Sequence, residues 1–397
     1  MKHYSASLVY TLAGAPLPQG TVTVDEEGTI IEVSSSGNSM AIPGVTHFPE
    51  SILVPGFVNA HLHLELSHLS GVIPEKTGIG GFIGDINRHR NAPEEEIIAA
   101  ARKATVKMVR QGIAAAGDIS NTAITAGVKK ESSLEWFTFV ETFGFHPSRA
   151  ERALNTALEV WKAFVTLGLQ ASVVPHAPYS VSDPLFEAIA ALSPEKSSIL
   201  SMHNQESEAE NLFFRSGSGP LREHLIHNLG LDVSHFQPPG TSSLEAVLPR
   251  LPAGKPLLLV HNTHTTAEDL QLIRKERPQG NTWLVLCPNS NLYIEGKLPP
   301  AGLFRSHSLP ICIGTDSLAS NNHLSVFLEL VTLHRHFPEI PHGELFTWAS
   351  LNGAQALGMG DRLGSLEPGK KPGLVLITPG KGTTTIFDSR STITRLA

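Results

Sequence analysis

The stretch SILVPGFVNAHLHLELSHL, residues 51–69, decides how this chain folds. Its first ten residues are apolar and strand-like. The run then ends in His61 and His63, with Glu65, Ser67 and His68 close behind. Alternate residues of a strand face the same side. His61 and His63 therefore point the same way, and Glu65 joins them if the extended geometry persists two residues further. Neutral imidazole and carboxylate are the groups that zinc and similar metals take as ligands. Two exposed histidines would show the same spacing, so the rest of the chain has to decide.

Seven more runs resemble this one: GIAAAGDIS (112–120), WFTFVETFG (136–144), LQASVVPHAP (169–178), SSILSMHNQE (197–206), PLLLVHNTH (256–264), TWLVLCPNS (282–290) and LPICIGTDS (309–317). Helical patterns separate most of them. EEEIIAAARKATVKMVRQG closes at Gly112, and RAERALNTALEVWKAFVTLG at Gly168, glycine being the usual residue past a helix end. Strands alternating with helices imply a parallel sheet, and eight strands can close a (β/α)₈ TIM barrel. Nearly every run ends in a polar group: Asp118, Glu141, His176, His203, His261, Asn289 and Asp316 follow the two histidines. A barrel brings all these ends to one rim, where catalytic residues sit. A chain of 397 residues exceeds the roughly 250–300 of a single core unless that core is such a barrel.

The two ends of the chain read differently. TVTVDEEGTIIEV suits a hairpin, and GLVLI, TTTIF and STITRL continue the β pattern after residue 372. Neither end has enough strands to bury a face alone. The expectation is an α/β protein with a catalytic barrel over 55–350 and a small β-sandwich domain assembled from 1–54 and 351–397.

Charge and composition exclude several classes. A formal net charge of -7 offers no basic stripe for nucleic acid. No apolar run reaches the length of a membrane span. The start, MKHYSASLVYTLAG, reads as a strand and not as a signal peptide. Cys287 and Cys312 are too few for a disulfide framework and are expected to be buried. A cytoplasmic protein acting on a small molecule is expected. A homodimer is the commonest closed assembly.

Glu206 follows His203 by three residues in HNQE. A carboxylate there can take a proton from an activated water and pass it to a leaving group. The alternative is a carboxylate placed at a helix N-terminus by the dipole.

Together these motifs resemble the amidohydrolase superfamily, in its deaminase branch. They are PGFVNAHLH (55–63), HAPYS (176–180), HNQE (203–206), LVH (259–261), LCPNSN (286–291), GTDSLASNN (314–322), and NGAQALG with LGSLEPGKKPGLVLI near the C-terminus. They run through essentially the whole chain in the family's order. The resemblance implies a site in which His61, His63, His203 and Asp316 hold one divalent metal, most simply Zn²⁺, with Fe²⁺ or Mn²⁺ able to use similar ligands. It makes Glu206 the proton shuttle, His261 the group that positions the attacking water, and Asp316 a second catalytic contact. The fourth run carries no lysine to bridge two metals, which favours one. Glu65, Glu141, His176 and Ser320 are the candidate substrate contacts, with a salt bridge from Glu65 to an Arg of GGFIGDINRHR as the alternative. HLELSHL and GVIPEKTGIGGFI are similar to the aminodeoxyfutalosine deaminases of menaquinone biosynthesis. That substrate carries a benzoate, for which Arg88, Arg90, Arg149 and Arg215 are the candidate cations. S-adenosylhomocysteine, methylthioadenosine and guanine deaminases and triazine chlorohydrolases share the same ligands. A remote alternative is an amidohydrolase-like scaffold without catalysis.

Overall fold

The computed structural model describes residues 1–35, 43–383 and 385–397. All eight apolar runs form strands. The first divides at Gly56: residues before it finish β5 (Val45–Pro55) and those after it form β6 (Phe57–Leu62). β6 leads a parallel sheet through β7 (Ile113–Ser120), β8 (Glu135–Thr142) and β9 (Gln170–Pro175). A second parallel sheet contains β10 (Leu200–Asn204), β11 (Leu257–His261), β12 (Thr282–Leu286) and β13 (Ile311–Ile313). The two sheets meet at β6 and β13. There Asn59 Nδ2 donates to Thr315 Oγ1 (2.7 Å), and Leu62 bridges to Asp316. Near the other seam the His203 amide donates to the His176 carbonyl at 2.9 Å.

The strands are buried on both faces, as parallel sheets require. β6, β7, β10, β11 and β13 are buried at every residue. Helices cover them, among them α1 (Gly78–His89), α2 (Glu94–Arg110), α3 (Ala126–Glu131) and α4 (Ala150–Thr166). α2 and α4 stop where the sequence placed glycines, with Gly112 and Gly168 at φ +81° and +76°. No described helix is long and apolar enough to cross a membrane.

The chain ends do come together. β1 (Lys2–Val9), β2 (Leu17–Pro18), β3 (Thr21–Val24), β4 (Ile30–Ser34), β14 (Leu374–Thr378) and β15 (Thr392–Arg395) join β5 in one seven-stranded mixed sheet. β14 lies antiparallel to β5, which ties the C-terminus to the segment entering β6. The described strands of the two ends form this one sheet, where two facing layers had been expected. Of TTTIF, Thr384 lies outside the described residues; Thr385, Ile386 and Phe387 join no strand, Ile386 and Phe387 are buried, and Phe387 packs against Phe346 and His342. The helix Leu351–Ala356, counted with the terminal segment in the sequence reading, packs against β6.

Two glycines let backbones cross closely. A Cβ on Gly56 would lie 2.3 Å from the Pro372 carbonyl and 2.8 Å from Ala114 Cβ. One on Gly314 would lie 2.9 Å from both His61 Cβ and the His61 carbonyl. The second approach brings the end of β13 against the first histidine.

Candidate active site

The polar strand ends converge as expected of a barrel rim. His61 from β6 is 0 % exposed, and neither of its ring nitrogens has a hydrogen-bond partner. Around it stand the rings of His63, His203 and His261, with centroids at 5.0, 4.9 and 5.9 Å. Among the described residues, three overlapping groups have potential ligand atoms within 4.8 Å of one another: His61, His63, His203; His61, His261, Asp316; and, behind His203, Glu141, His176, His203. Asp316 Oδ1 lies 3.2 Å from His63 Nε2 and 3.7 Å from His61 Nε2, which joins the first two groups into one cluster.

These residues fit a divalent cation. The donor set of imidazoles plus one carboxylate is that of zinc and its neighbours. A cation here would compensate one of the two ring nitrogens that the fully buried His61 leaves without a partner among the described residues. The charge states of His61, His63 and Asp316 agree, whereas His203, though burial opposes its protonation, is pushed up to about 9 by its contact with Glu141, a proton a bound cation would displace. Burial holds His61 below its ordinary range, and takes His63 down to about 4. Burial opposes ionisation of Asp316, but the His61 contact and the nearby His63 and His261 hold it well below the carboxylate range. Neutral imidazole beside carboxylate is the form that binds metal.

The backbone is strained where these side chains are aimed. Gln205, His261, Asn262 and Asp316 all have positive φ, at 46°, 72°, 57° and 56°. Such conformations cost about 1–2 kcal/mol each for residues with a Cβ. Local hydrogen bonds hold them: the Asp316 amide donates to the His61 carbonyl (3.1 Å) and the Asn262 amide to the Asn204 carbonyl (3.0 Å).

Glu206 sits beside the cluster, its Oε1 3.6 Å from His261 Nε2. Burial, opposed by His203 and reinforced by Asp316, pushes Glu206 up to about 8. A carboxyl group poised near neutrality can both accept and return a proton. His261, lowered by burial, has its other nitrogen 3.3 Å from Asn291 Nδ2. The Gln205 amide donates to Glu210 Oε1 (3.0 Å), so Glu210 is a buried brace for the HNQE turn.

The cluster forms the floor of a cavity of about 450 Å³. One wall is the apolar face of α1, with Ile79, Phe82, Ile83 and Ile86. Phe143, Phe145 and Leu225 face it, and Arg90 and Arg149 also line the cavity.

Comparison with known proteins now decides the family. Residues 52–395 match the amidohydrolase family. The chain belongs to it, in its deaminase branch. An adenosine deaminase of Helicobacter pylori is 27 % identical over 331 residues, covering 82 % of this chain and 79 % of that protein. A 5-methylthioadenosine/S-adenosylhomocysteine deaminase of Teredinibacter turnerae is 24 % identical, covering 90 % and 78 %. The crystal structure of Helicobacter pylori aminofutalosine deaminase in complex with methylthio-coformycin superposes with a TM-score of 0.81 at 25 % identity, covering 98 % of this chain and 94 % of that one.

Within this amidohydrolase site, four residues read as substrate contacts fall in different places. His176 lines the cavity against Phe143 (ring centroids 4.3 Å), with Nδ1 2.8 Å from Ser180 Oγ, and burial takes it down to about 3. Glu141 lines the cavity too, but its Oε1 lies 3.2 Å from His203 Nδ1 and its Oε2 accepts from Asn121 Nδ2 at 3.1 Å. That geometry orients the His203 ring, as carboxylates behind metal-binding histidines do. Glu65 does not line the cavity. The strand ends at Leu62, and residues Leu64–Leu69 form a 3₁₀ turn that rotates Glu65 away. Its Oε1 pairs with Arg90 (3.5 Å), and its Oε2 accepts from the amides of Asn121 and Thr122 and from Thr122 Oγ1. The salt-bridge alternative is the one the structure bears out. Ser320 is 0 % exposed and donates to Asp316 Oδ2 at 2.5 Å. Ser290, missed in the sequence although it lies in LCPNSN, donates to the same oxygen at 2.6 Å. Two hydroxyls on Oδ2 leave Oδ1 for the histidine cluster. Ser320→Ala is therefore expected to weaken zinc affinity about 10-fold, measured by chelator competition. A raised KM with unchanged zinc affinity would instead return Ser320 to the substrate.

Proposed function

We propose that this protein is a metal-dependent hydrolytic deaminase of adenosine-like nucleosides, and that its substrate is 6-amino-6-deoxyfutalosine of the menaquinone pathway. The observation that carries the reaction is the buried His61, His63, His203 and Asp316 cluster beside a carboxyl group, Glu206, poised near neutrality. In this reading, residues 55–350 act as a closed (β/α)₈ barrel with the site at its mouth, and 1–54 with 351–397 as the flanking β domain.

His61, His63, His203 and Asp316 hold one divalent ion, with Zn²⁺ the best match to the donor set. When bound, it acts as a Lewis acid that acidifies a water. Glu206 takes the proton of the attacking water and delivers it to a ring nitrogen. A C–O bond forms at the amine-bearing carbon; the remaining hydroxyl proton passes through Asp316 or the emptied Glu206 to the amine as the carbonyl forms, the C–N bond breaks, and ammonia leaves. His261 orients the water, and Asp316 accepts a hydrogen bond from it. Glu141 keeps the His203 ring in place. His176, held neutral, lines the cavity near His203, where the base would lie.

The substrate reading rests on the cavity beyond the cluster. Its apolar wall suits an aryl arm, and an aryl carboxylate needs a cation at the end of it. Arg88 is engaged with Asp85, and Arg215 with Glu208; neither lines the cavity. Arg90 lines it but is tied to Glu65 and Asn121. Arg149, exposed on the rim, has no carboxylate partner among the described residues. It is the best-placed partner for the carboxylate. The likeness to the Helicobacter pylori aminofutalosine deaminase supports the same substrate.

A panel of adenine nucleosides with measured ammonia release tests this. The aryl-carboxylate nucleoside should have the highest kcat/KM, and Arg149→Met should raise its KM about 10-fold while leaving adenosine unaffected. Equal kcat/KM across the panel would leave a deaminase without this specificity. Glu206→Gln should lower kcat by about 10²–10⁴-fold at unchanged metal content. Loss of the metal in that variant would make Glu206 a ligand, and near-normal activity would give the proton to another group.

A further inference from the structure

Lys129 is a cation sealed inside the protein, 1 % exposed, on the short helix α3. Its Nζ lies 2.5 Å from Asp118 Oδ2 and donates to Thr138 Oγ1 (2.9 Å) and Ser120 Oγ (3.1 Å). The same nitrogen lies 4.4 Å from the centre of the Phe164 ring. Asp118 is 0 % exposed. Its second oxygen, Oδ1, accepts from the Leu64 amide at 2.7 Å. Leu64 follows His63, at the point where β6 gives way to the 3₁₀ turn.

A buried ion pair is a poor source of stability. Desolvation of both charges offsets their attraction, and an apolar pair of similar volume is often as stable. This pair needs another reason to exist. Neither residue lines the cavity, so neither contacts a substrate there. What the pair does reach is the peptide joining His63 to Leu64. That peptide no longer belongs to a strand ladder, and His63 has no side-chain hydrogen bond to cap the turn. The Asp118 contact sets its plane, and hence the direction of the His63 side chain. Lys129, with Ser120, fixes the carboxylate that makes this contact; Ser120 Oγ lies 3.1 Å from Asp118 Oδ2.

We propose that Asp118 is a positioning residue for the metal site: its Oδ1 accepts from the His63–Leu64 peptide and thereby aims His63 into the cluster, while Lys129 compensates the charge that this buried acceptor carries. The inference rests on the reading of His63 as a metal ligand.

The test compares double variants of the full chain. Asp118→Asn/Lys129→Met removes both charges but keeps an oxygen acceptor for the Leu64 amide. Asp118→Leu/Lys129→Met and Asp118→Ala/Lys129→Met remove the acceptor as well. Zinc affinity is measured by chelator competition, and thermal unfolding is followed on the metal-free proteins. The asparagine form should bind zinc within about 3-fold of wild type, and the acceptor-less forms at least about 10-fold more weakly, the usual cost of losing an outer-shell contact. Metal-free unfolding midpoints should be alike. Equal zinc affinity in all forms would overturn the proposal. So would an asparagine form as weak as the leucine form. If both acceptor-less forms fail to fold while the asparagine form folds, the hydrogen bond belongs to stability and the proposal fails. A wild type that binds no zinc would instead remove the metal reading beneath it.

Discussion

Leaving a buried polar atom without a partner costs about 1–3 kcal/mol, and His61 leaves two, at 0 % exposure, in the most enclosed part of the molecule. Much of the surrounding structure serves to keep it there. Asn59 ties β6 to Thr315, the His61 carbonyl takes the amides of Thr315 and Asp316, and Gly314 allows the close approach. The φ of 56° at Asp316 turns its carboxylate back toward the histidines. A cation among these groups would supply a partner for one of the two orphaned nitrogens. It would also account for three imidazoles and a carboxylate crowded together where solvent is excluded.

Around that centre the residues divide by task. Ser290 and Ser320 occupy one oxygen of Asp316, Glu141 backs His203, and Asn291 faces the outer nitrogen of His261. Glu206 Oε1 stands 3.6 Å from His261 Nε2, beyond hydrogen-bond distance. The apolar wall contributed by α1 stands further out. Its start is anchored where the Ile79 amide donates to Glu295 Oε1 (2.7 Å), and beyond its end Arg90 pairs with Glu65. Glu65, paired with Arg90, thus braces the wall of the cavity from behind.

The strands were legible because each buried run stops at a polar residue. An apolar run that breaks off at a histidine or a carboxylate marks the place where a covered strand reaches an open rim. The terminal sheet was legible as β structure, but Ile386 and Phe387 have a strand's composition and pack outside it, Phe387 against Phe346 and His342. Glu65 was misplaced because strand periodicity was carried two residues past the strand, and only the bond from the Leu64 amide to Asp118 shows where the 3₁₀ turn begins. The bond from Ser320 to Asp316 was not legible because loop direction has no sequence period. Lys129 gave no signal at all: a lysine in GVKKE reads as solvated, and its burial depends on β7, β8 and α4 closing over it. Arg149 could not be separated from Arg88 or Arg215 until their acidic neighbours were placed.

The central claim is that a single divalent ion belongs between His61, His63, His203 and Asp316. Crystals of the full chain grown with zinc, with anomalous diffraction collected on both sides of the zinc edge, test it directly. The account predicts one strong peak in the cavity floor, about 2.0–2.3 Å from a nitrogen of each histidine and from Asp316 Oδ1. A floor without anomalous signal, or a peak bound elsewhere with His61 still unpartnered, would contradict it.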